Sequence, residues 1–295
     1  MNGVVVVNKP EGWTSHDVVA KLRRIYGTKR VGHTGTLDPL ATGVLVVCLG
    51  QATRIVEYLT AARKVYAAGV VFGVTTDSED VSGRVLKESD ASGASAEDVE
   101  AVLPHFRGTI QQIPPMVSAV HHEGRRLYEL AREGIEVERQ PRTVEIHRLE
   151  LCGFEPGERA RARLLVECSS GTYIRTLAAD IGAALGVGGM MESLRRTRVG
   201  PFGLDDALTL EELEERRQAG TVAETLRTIV DSLADWPRAV LSEAEAETIR
   251  RGQPVRPSVG EAEANVLLVD VHGGAVALAR QAAGVLAPFK VFADA

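Results

Sequence analysis

The chain has 295 residues, of which 44% are hydrophobic, and a formal net charge of −6 at pH 7. This is enough apolar material for one large domain and a small one. The sequence has neither a signal-peptide pattern nor an apolar run of about 18 residues, which disfavours secretion and membrane spanning, so we expect a cytoplasmic protein. Three cysteines without C-x-x-C spacing lie in apolar stretches, which predicts buried, reduced thiols: Cys48, Cys152 and Cys168.

The charge is distributed unevenly along the chain. Residues 1–66 hold nine Lys/Arg against four Asp/Glu, and residues 151–200 hold seven against five. Residues 67–101 hold two against eight, and residues 201–235 hold three against nine. Salt limits the interaction between exposed charges to a range of about 8–10 Å. A protein that is acidic overall can therefore still present a basic face to phosphates. Solvated surface charge is the alternative for any single Lys or Arg.

The first part of the chain alternates short strands with short helices. Pro10 ends a Val-rich run, Thr14 supplies N-cap chemistry, and the run from Val44 to Leu49 has the length and β-branched content of a buried strand. These patterns predict a strand over residues 3–9, a helix to about residue 24, a strand over 44–49, a helix over 52–59 and a strand over 64–74.

The middle of the chain predicts more strands and isolated helices. A Ser/Gly/Asp-rich loop is expected over residues 89–95, followed by a helix with an acidic first turn over 96–103. Further on, the pattern predicts a helix over 126–133, strands over 144–146 and 162–167, and a helix over 172–185. This order favours an α+β domain built on a mostly antiparallel sheet.

The segment Asp235-Trp236-Pro237 marks a predicted boundary. Beyond it, Ser242 and Glu245 resemble a capping box at the start of a helix, and two strand-like runs are joined through His272-Gly273-Gly274 as a hairpin. The pattern of residues 236–295 resembles the PUA domain, a small β-barrel RNA-binding module. A purely structural cap is the alternative.

One carboxylate stands in an unusual turn. Residues 32–43 read G-H-T-G-T-L-D-P-L-A-T-G, so Asp38 lies at the entrance of a buried strand on backbone shaped by Gly and Pro. From the spacing alone, an ordinary Asp-Pro turn with the carboxylate capping a nearby N–H is the better interpretation.

The same segment closely resembles the catalytic motif of the bacterial tRNA pseudouridine-55 synthases, the TruB family. Further segments resemble the motifs of this family and follow in its order. They are Lys64-Val65-Tyr66, residues 73–83, Pro114-Pro115-Met116-Val117-Ser118-Ala119, residues 168–177 and Leu194-Arg195-Arg196-Thr197. An ordered set spanning residues 1 to about 235 is far more specific than any single short motif.

The resemblance implies a pseudouridine-synthase fold over residues 1–235, with a mostly antiparallel mixed sheet and an RNA-clamping insertion over about residues 107–142. Arg125, Arg126 and Arg132 in that insertion suit RNA contact. It further implies an isomerase that converts uridine to pseudouridine at position 55 in the T-loop of tRNA, by base flipping and an essential aspartate. Assistance with tRNA folding is a further role to consider.

The resemblance also assigns the site. Asp38 is implied to be the catalytic carboxylate and Arg175 its partner, because an adjacent guanidinium lowers a carboxylate pKa. Tyr66 is implied to stack on the flipped uracil and to assist catalysis, Tyr173 and Leu194 to line the pocket, and His33 to fill the gap left by the flipped base. Candidates for phosphate contacts are four basic residues: Lys9, Lys29, Arg30 and Lys64.

No metal or cofactor is expected, and tRNA, through its T-arm, is the expected partner of a monomer. A non-enzymatic tRNA-binding or tRNA-folding protein is the alternative, but such a protein does not need a carboxylate facing RNA. A hydrolase or metalloenzyme finds little support, because H-E-x-x-H, G-x-S-x-G and P-loop motifs are missing from the sequence.

Overall fold

The computed structural model describes residues 1–118, 120–122, 124–256 and 264–292, without the side chains of His122 and Arg132. The predicted roles of Arg132 and of residues 257–263 and 293–295 therefore lie outside the description. The α-helices are α1 (Ser15–Ile25), α2 (Val56–Ala61), α3 (Ala96–Val102), α4 (Leu127–Arg132), α5 (Ile174–Ala184), α6 (Leu210–Gln218), α7 (Ile229–Ser232) and α8 (Glu243–Arg250).

The strands are β1 (Gly3–Lys9), β2 (Val31–His33), β3 (Thr42–Leu49), β4 (Lys64–Phe72), β5 (Val74–Thr76), β6 (Val85–Glu88), β7 (Gly108–Gln112), β8 (His121–His122), β9 (Arg125–Arg126), β10 (Arg142–Glu155), β11 (Arg161–Cys168), β12 (Gly189–Val199), β13 (Phe202–Gly203), β14 (Arg238–Val240), β15 (Ala264–Val269), β16 (Ala275–Ala282) and β17 (Val285–Val291).

The main sheet has nine strands. Its order is β1-β3-β12-β4-β11-β10-β7, with β2 paired to β3 and β13 paired to β12. The β3–β12 pair is parallel, and the other pairs in this sheet are antiparallel. The predicted α+β class with a mostly antiparallel mixed sheet is thus confirmed.

The two faces of the main sheet are covered differently. On the face that carries Tyr66 and Leu194, called the front face here, helices α1, α3, α5 and α6 pack over an apolar core. On the opposite face, called the back face and carrying Val46 and Val199, residues of α2 and of the C-terminal strands complete a second core. Alternation within β1, where Val5 faces the front and Val6 the back, shows that both faces are buried there.

Several predicted elements are confirmed with their local causes. Thr14 caps α1 and forms a capping box with Asp17, and Ser95 caps α3 in the same way with Asp98. The helix expected over residues 52–59 begins instead as a 3₁₀ helix over Gly50–Ile55 and becomes α-helical only at α2. Neither part has a side-chain N-cap hydrogen bond, which explains the poor match to the predicted start.

Strand β12 is the main element that the sequence pattern did not predict. It carries four charged residues, and its pairing with β4 shifts register between Met191 and Ser193 and again between Arg196 and Arg198. Such bulges break the two-residue alternation by which strands are identified. Between the two register shifts the ordinary alternation holds, so Leu194 and Arg196 share the buried side of the strand, whereas Arg195 is exposed.

The C-terminal segment forms a four-stranded sheet in the order β14-β15-β16-β17, together with α8. The predicted hairpin is confirmed as the antiparallel β15–β16 pair, and Ser242 with Glu245 forms the predicted capping box. Among the described residues these strands form no closed barrel. One side of the sheet has its own small core around α8, and the other packs on the back face of the main sheet.

The cysteines are free, but they are not all buried. Cys48 and Cys168 are buried as predicted, whereas Cys152 on β10 is exposed, so that part of the prediction was wrong. A register shift in the β10–β11 pair lies between Leu151 and Gly153, where the strand alternation that suggested burial is interrupted. Within the described ranges, no helix is long and apolar enough to cross a membrane.

Candidate active site

Asp38 lies in the loop between β2 and β3, and the start of α1 holds this loop in place. The Ser15 hydroxyl accepts a hydrogen bond from the Leu37 N–H at 2.9 Å and contacts the Leu37 carbonyl at 3.2 Å. Leu37 is buried, and the Ala41 N–H donates to the Asp38 carbonyl at 3.0 Å. The turn is therefore fixed on both sides of the carboxylate.

Asp38 forms an ion pair with Arg175. Nε of Arg175 lies 3.0 Å from Oδ2 of Asp38, and Nη2 lies 3.4 Å from Oδ1. The guanidinium comes from the first turn of α5 and is 5% exposed, whereas the Asp38 side chain is 33% exposed. The pair thus consists of a buried cation and a carboxylate that opens into a cleft. This is the pairing that the family resemblance implied.

Arg175 is held by three further groups. Its guanidinium donates to the carbonyls of Ser78 at 3.0 Å and Val117 at 2.7 Å, and its Nε lies 3.8 Å from Oδ2 of Asp80. Asp80 is buried and in turn accepts from the Ser78 hydroxyl at 2.6 Å. The sequence reasoning did not single out Asp80, although it lies in the recognised segment of residues 73–83.

The pKa of Asp38 is raised above its usual value, chiefly because burial disfavours the charged form. Arg175 opposes this effect, and the nearby Asp80 carboxylate adds to it. The expectation that Arg175 lowers the pKa holds for that one interaction, but burial is the larger effect. Asp38 is therefore an aspartate whose proton affinity is increased by its surroundings, as is common for groups in catalytic clefts.

Tyr66 and Leu194 line one cleft with Asp38, and Tyr173 lines it from the start of α5. The cleft has a volume of about 250 Å³. Tyr66 is 7% exposed and Leu194 8% exposed, and burial raises the pKa of the Tyr66 phenol. The structure thus brings together Asp38, Arg175 and these three residues, as the sequence analysis expected.

A buried glutamine positions Tyr173. The amide group of Gln112, on the edge strand β7, accepts from the Tyr173 N–H at 2.9 Å and donates to the Tyr173 carbonyl at 3.1 Å. Gln112 is 1% exposed. This reciprocal pair fixes the backbone at the start of α5, one residue before Ile174 and two before Arg175. No local pattern in the sequence indicated it, because the two partners lie far apart in the chain.

Arg196 is a third functional candidate, after Asp80 and Gln112, that the sequence reasoning missed. It is 1% exposed and donates to the carbonyls of Val44 at 2.7 Å, Gly35 at 3.1 Å and Thr36 at 3.5 Å. Its guanidinium therefore binds both the approach to the Asp38 turn and the strand that follows it. The signal available was its place in the segment Leu194-Arg195-Arg196-Thr197.

The four predicted phosphate contacts lie in two kinds of environment. Lys29 and Arg30 are exposed, as a phosphate contact requires. Lys9 is 0% exposed, and its ammonium donates to the carbonyls of Pro10, Trp13 and Pro39, so the structure does not place it where a phosphate could reach it.

Lys64 also lies in the buried group. It is 5% exposed, and its ammonium donates to the carbonyls of Thr60 at 2.7 Å and Ala62 at 2.8 Å. Lys64 also borders the cleft. Burial lowers the pKa of both Lys9 and Lys64 to about 8. These two ammonium groups are thus engaged with backbone carbonyls and partly desolvated.

His33 ends β2 and is half-buried. Its Nδ1 accepts a hydrogen bond from the Gly35 N–H at 3.3 Å, and burial lowers its pKa, with Arg196 adding to the effect. The ring is therefore neutral at pH 7. Among the described residues, those that line the cleft do not include His33, so the structure places it beside the site. No group of three potential metal ligands occurs in the described part of the chain.

Comparisons with known proteins bear on this arrangement. Residues 23–174 match the family model described as TruB family pseudouridylate synthase (N terminal domain), and residues 175–235 match that of the tRNA pseudouridylate synthase B C-terminal domain. The tRNA pseudouridine synthase B of Symbiobacterium thermophilum is 51% identical over 259 residues, covering 88% of this chain and 84% of that protein. The one of Geobacillus thermodenitrificans is 47% identical over 304 residues, covering 99% and 100%.

Solved structures give the same picture for the fold. An H/ACA RNP bound to a substrate RNA containing 2′-deoxyuridine includes a chain with a TM-score of 0.76 and 26% identity, covering 99% of this chain and 85% of that one. A chain of the archaeal box H/ACA sRNP Nop10-Cbf5 complex has a TM-score of 0.73 and 26% identity, covering 99% and 86%.

Proposed function

This chain belongs to the TruB family of pseudouridylate synthases, and from that premise we propose roles for the residues of its cleft. The protein is an enzyme that isomerises uridine to pseudouridine in tRNA. We propose that Asp38 is its essential carboxylate and that the target is the uridine at position 55 in the T-loop. The observation that carries the proposal is the Asp38–Arg175 ion pair of 3.0 Å, whose two residues line the same cleft as Tyr66.

The reaction breaks the N1–C1′ glycosidic bond, turns the uracil in place and joins C5 to C1′. A carboxylate can assist by attacking the sugar, by stabilising a cationic or glycal-like sugar, or by adding to the base, and each route uses the ionised form. Arg175 serves this requirement because it favours the charged form of Asp38 against the effect of burial. It also fixes the carboxylate through two of its nitrogens.

The remaining cleft residues suit a flipped base. A uracil must leave the RNA stack before its glycosidic bond can be reached. Tyr66 offers an aromatic surface for stacking, and its raised pKa keeps the phenol protonated in the free enzyme. We propose that Tyr173 and Leu194 form further walls of the pocket. We propose that His33, as a neutral side chain, fills the gap that the flipped uracil leaves in the RNA.

We propose that the RNA backbone contacts Lys29 and Arg30 and is clamped by the predicted insertion over residues 107–142, through the part that follows strand β7, since β7 itself belongs to the main sheet. Arg125 and Arg126 of this insertion are exposed, which supports that role. Residues 236–295 are proposed to form a PUA-like RNA-binding domain that makes a modest contact with the acceptor side of the tRNA. We further propose that the enzyme acts as a monomer and without a cofactor.

Substitution of the carboxylate tests the catalytic assignment. Asp38→Asn is nearly isosteric but removes the charge, so pseudouridine formation should fall by about 10⁴-fold or more, the scale expected when an essential group is lost. Binding of tRNA and the thermal unfolding temperature should stay close to those of the wild type. Mass spectrometry of tRNA transcripts after incubation measures the product. Turnover by the variant at the wild-type rate would remove Asp38 from its role.

Substrate choice tests the proposed position. Because sequence-specific recognition of RNA mostly targets the bases of single-stranded loops, an isolated T-arm stem-loop should be modified and a scrambled hairpin of equal length should not. Equal modification of both would contradict the T-loop assignment.

The proposed tRNA contact of the C-terminal segment can be tested with Arg280→Gln, which changes an exposed side chain on β16. It should weaken binding of full-length tRNA and leave turnover of the stem-loop unchanged.

A further inference from the structure

Ser118 has a side chain that the catalytic assignment does not use. The residue is 6% exposed and lines the same cleft as Asp38 and Tyr66. Its hydroxyl oxygen is buried and has no hydrogen-bond partner among the residues that the structure describes. Its backbone, in contrast, is fixed on both sides, because its N–H donates to the Met116 carbonyl and its carbonyl accepts from the Tyr128 N–H, each at 3.0 Å.

An unpartnered hydroxyl of this kind is unusual. Leaving a buried polar group without a partner costs about 1–3 kcal/mol, and most such groups in native proteins are paired. Within the described part of the chain, the other unpartnered buried side-chain atoms belong to Thr34, Gln51 and Arg139, and none of these three residues lines the cleft. Ser118 is thus where an unmet hydrogen-bonding capacity coincides with the substrate site.

Val117, the residue before Ser118, connects this segment to the Asp38–Arg175 pair. The carbonyl of Val117 accepts a hydrogen bond from Nη2 of Arg175 at 2.7 Å, and the same guanidinium binds Asp38. The Ser118 hydroxyl therefore belongs to the peptide segment that is tied directly to the catalytic pair. Resting on the function proposed above, we propose that this hydroxyl donates a hydrogen bond to a carbonyl oxygen of the bound uracil and so positions the base.

The geometry of the reaction gives this donor a particular value. When the uracil turns so that C5 takes the place of N1, the half-turn leaves C6 and N3 in place and exchanges the two ring carbonyls. A single donor that meets one carbonyl in the substrate consequently meets the other in the product. Ser118 can hold the base in both orientations without moving, whereas a group specific for N1 or C5 could not.

The substitution Ser118→Ala tests the proposal, with Ser232→Ala as its matched control. Ser232 on α7 is 2% exposed, but its hydroxyl donates to the Thr228 carbonyl at 2.7 Å. Removing the unpartnered Ser118 hydroxyl should leave the thermal unfolding temperature equal or higher and lower kcat/KM for the T-arm stem-loop by about 10-fold, the scale of one lost hydrogen bond. Ser232→Ala should lower the unfolding temperature and leave kcat/KM unchanged.

A second measurement uses altered bases and separates binding from a packing effect. Stem-loops with 2-thiouridine or 4-thiouridine at the target replace one carbonyl acceptor with sulfur, a weaker one. The wild type should prefer uridine over at least one of them, and Ser118→Ala should reduce that preference several-fold. An unchanged kcat/KM, or a loss equal for all three bases, would overturn the proposal. A wild type that makes no pseudouridine would instead contradict the proposed function itself.

Discussion

The front and back faces of the main sheet differ in what completes them. The front face is covered by helices from residues 1–235 and opens into the cleft around Asp38. The back face is covered in part by Leu267, Leu278 and Phe292, which lie beyond the predicted boundary at Asp235 and are buried in the same apolar core as residues of strands β1 and β3. The proposed active site thus lies on the front face, which is covered by elements of residues 1–235, whereas the core shared with the C-terminal segment lies on the back face.

The packing of the C-terminal segment on the back face indicates a structural role for it. Besides the shared apolar core, Lys290 donates to the Arg54 carbonyl at 2.9 Å, and the rings of Tyr58 and Trp236 meet edge to face with centroids 4.9 Å apart. A segment added only for RNA binding would not need to bury such contacts. Deleting residues 236–295 would expose the back-face core, so point substitutions separate stability from tRNA contact more cleanly than truncation.

The largest expected effect tests the structural role of the back face. Phe292 is 3% exposed, whereas Phe289 on β17 is 43% exposed. Phe292→Ala should reduce the free energy of unfolding by about 3–5 kcal/mol, the usual range for a buried aromatic. Phe289→Ala should reduce it much less, and both variants should keep the wild-type kcat while folded. Chemical denaturation and stem-loop turnover measure these quantities. Equal losses would show that the back face does not carry the stability assigned to it.

The elements of the fold could be predicted from the sequence, but the packing of the C-terminal segment on the back face could not. Local sequence patterns predicted β1, α1, α3, α5 and the β15–β16 hairpin, because the capping residues and the apolar periodicity that indicate each element lie within its own segment. The sharing of the back-face core was not predictable, since it depends on which distant elements meet.

The site divides in a similar way. Asp38 and Arg175 were identified only through the family motifs, whereas Asp80, Gln112 and Arg196 gain their meaning from burial beside residues distant in sequence. Lys9 shows the converse. It was a candidate for phosphate contact as a basic residue, but its ammonium is buried and donates to the carbonyls of Pro10 and Pro39, a contact between distant parts of the chain.

A second prediction sharpens the role of the front face. Arg196→Lys cannot reproduce the three carbonyl contacts of the guanidinium, so the Asp38 turn should shift and kcat should fall by up to about 100-fold. The neighbouring Arg195 is exposed on the opposite side of β12, and Arg195→Lys should leave kcat unchanged. Single-turnover assays on the stem-loop compare the two. An Arg196→Lys enzyme with full activity would show that the turn holds its position without this residue.

A third prediction separates buried from exposed cations. Lys9→Met leaves three carbonyls without their donor and should lower the free energy of unfolding by about 1–3 kcal/mol. Lys29→Gln should instead leave stability unchanged and reduce the slope of log K against log salt for tRNA binding by about 1. Titrations of tRNA binding at several salt concentrations measure the slope. A reduced slope in Lys9→Met would restore Lys9 as a phosphate contact.

The smallest expected effect is a shift in pH dependence. In its proposed role Asp38 acts in the ionised form, and its pKa is raised by burial and further by Asp80, so kcat/KM should fall on acidification at a higher pH than for a free aspartate. Asp80→Asn removes a nearby negative charge, which favours ionisation of Asp38. The acid limb should therefore move to lower pH in this variant. A limb that stays in place or moves upward would show that Asp80 acts mainly by holding Arg175.

The burial of two of the three cysteines has a practical consequence for labelling. Burial raises the pKa of Cys48 to about 12 and that of Cys168 to about 11, so neither presents a reactive thiolate near neutral pH. Cys152 is exposed and borders a surface groove together with Arg163 and Arg195. A maleimide dye should consequently attach to the native enzyme with a stoichiometry of one, giving a fluorescent reporter on β10 without any engineered cysteine.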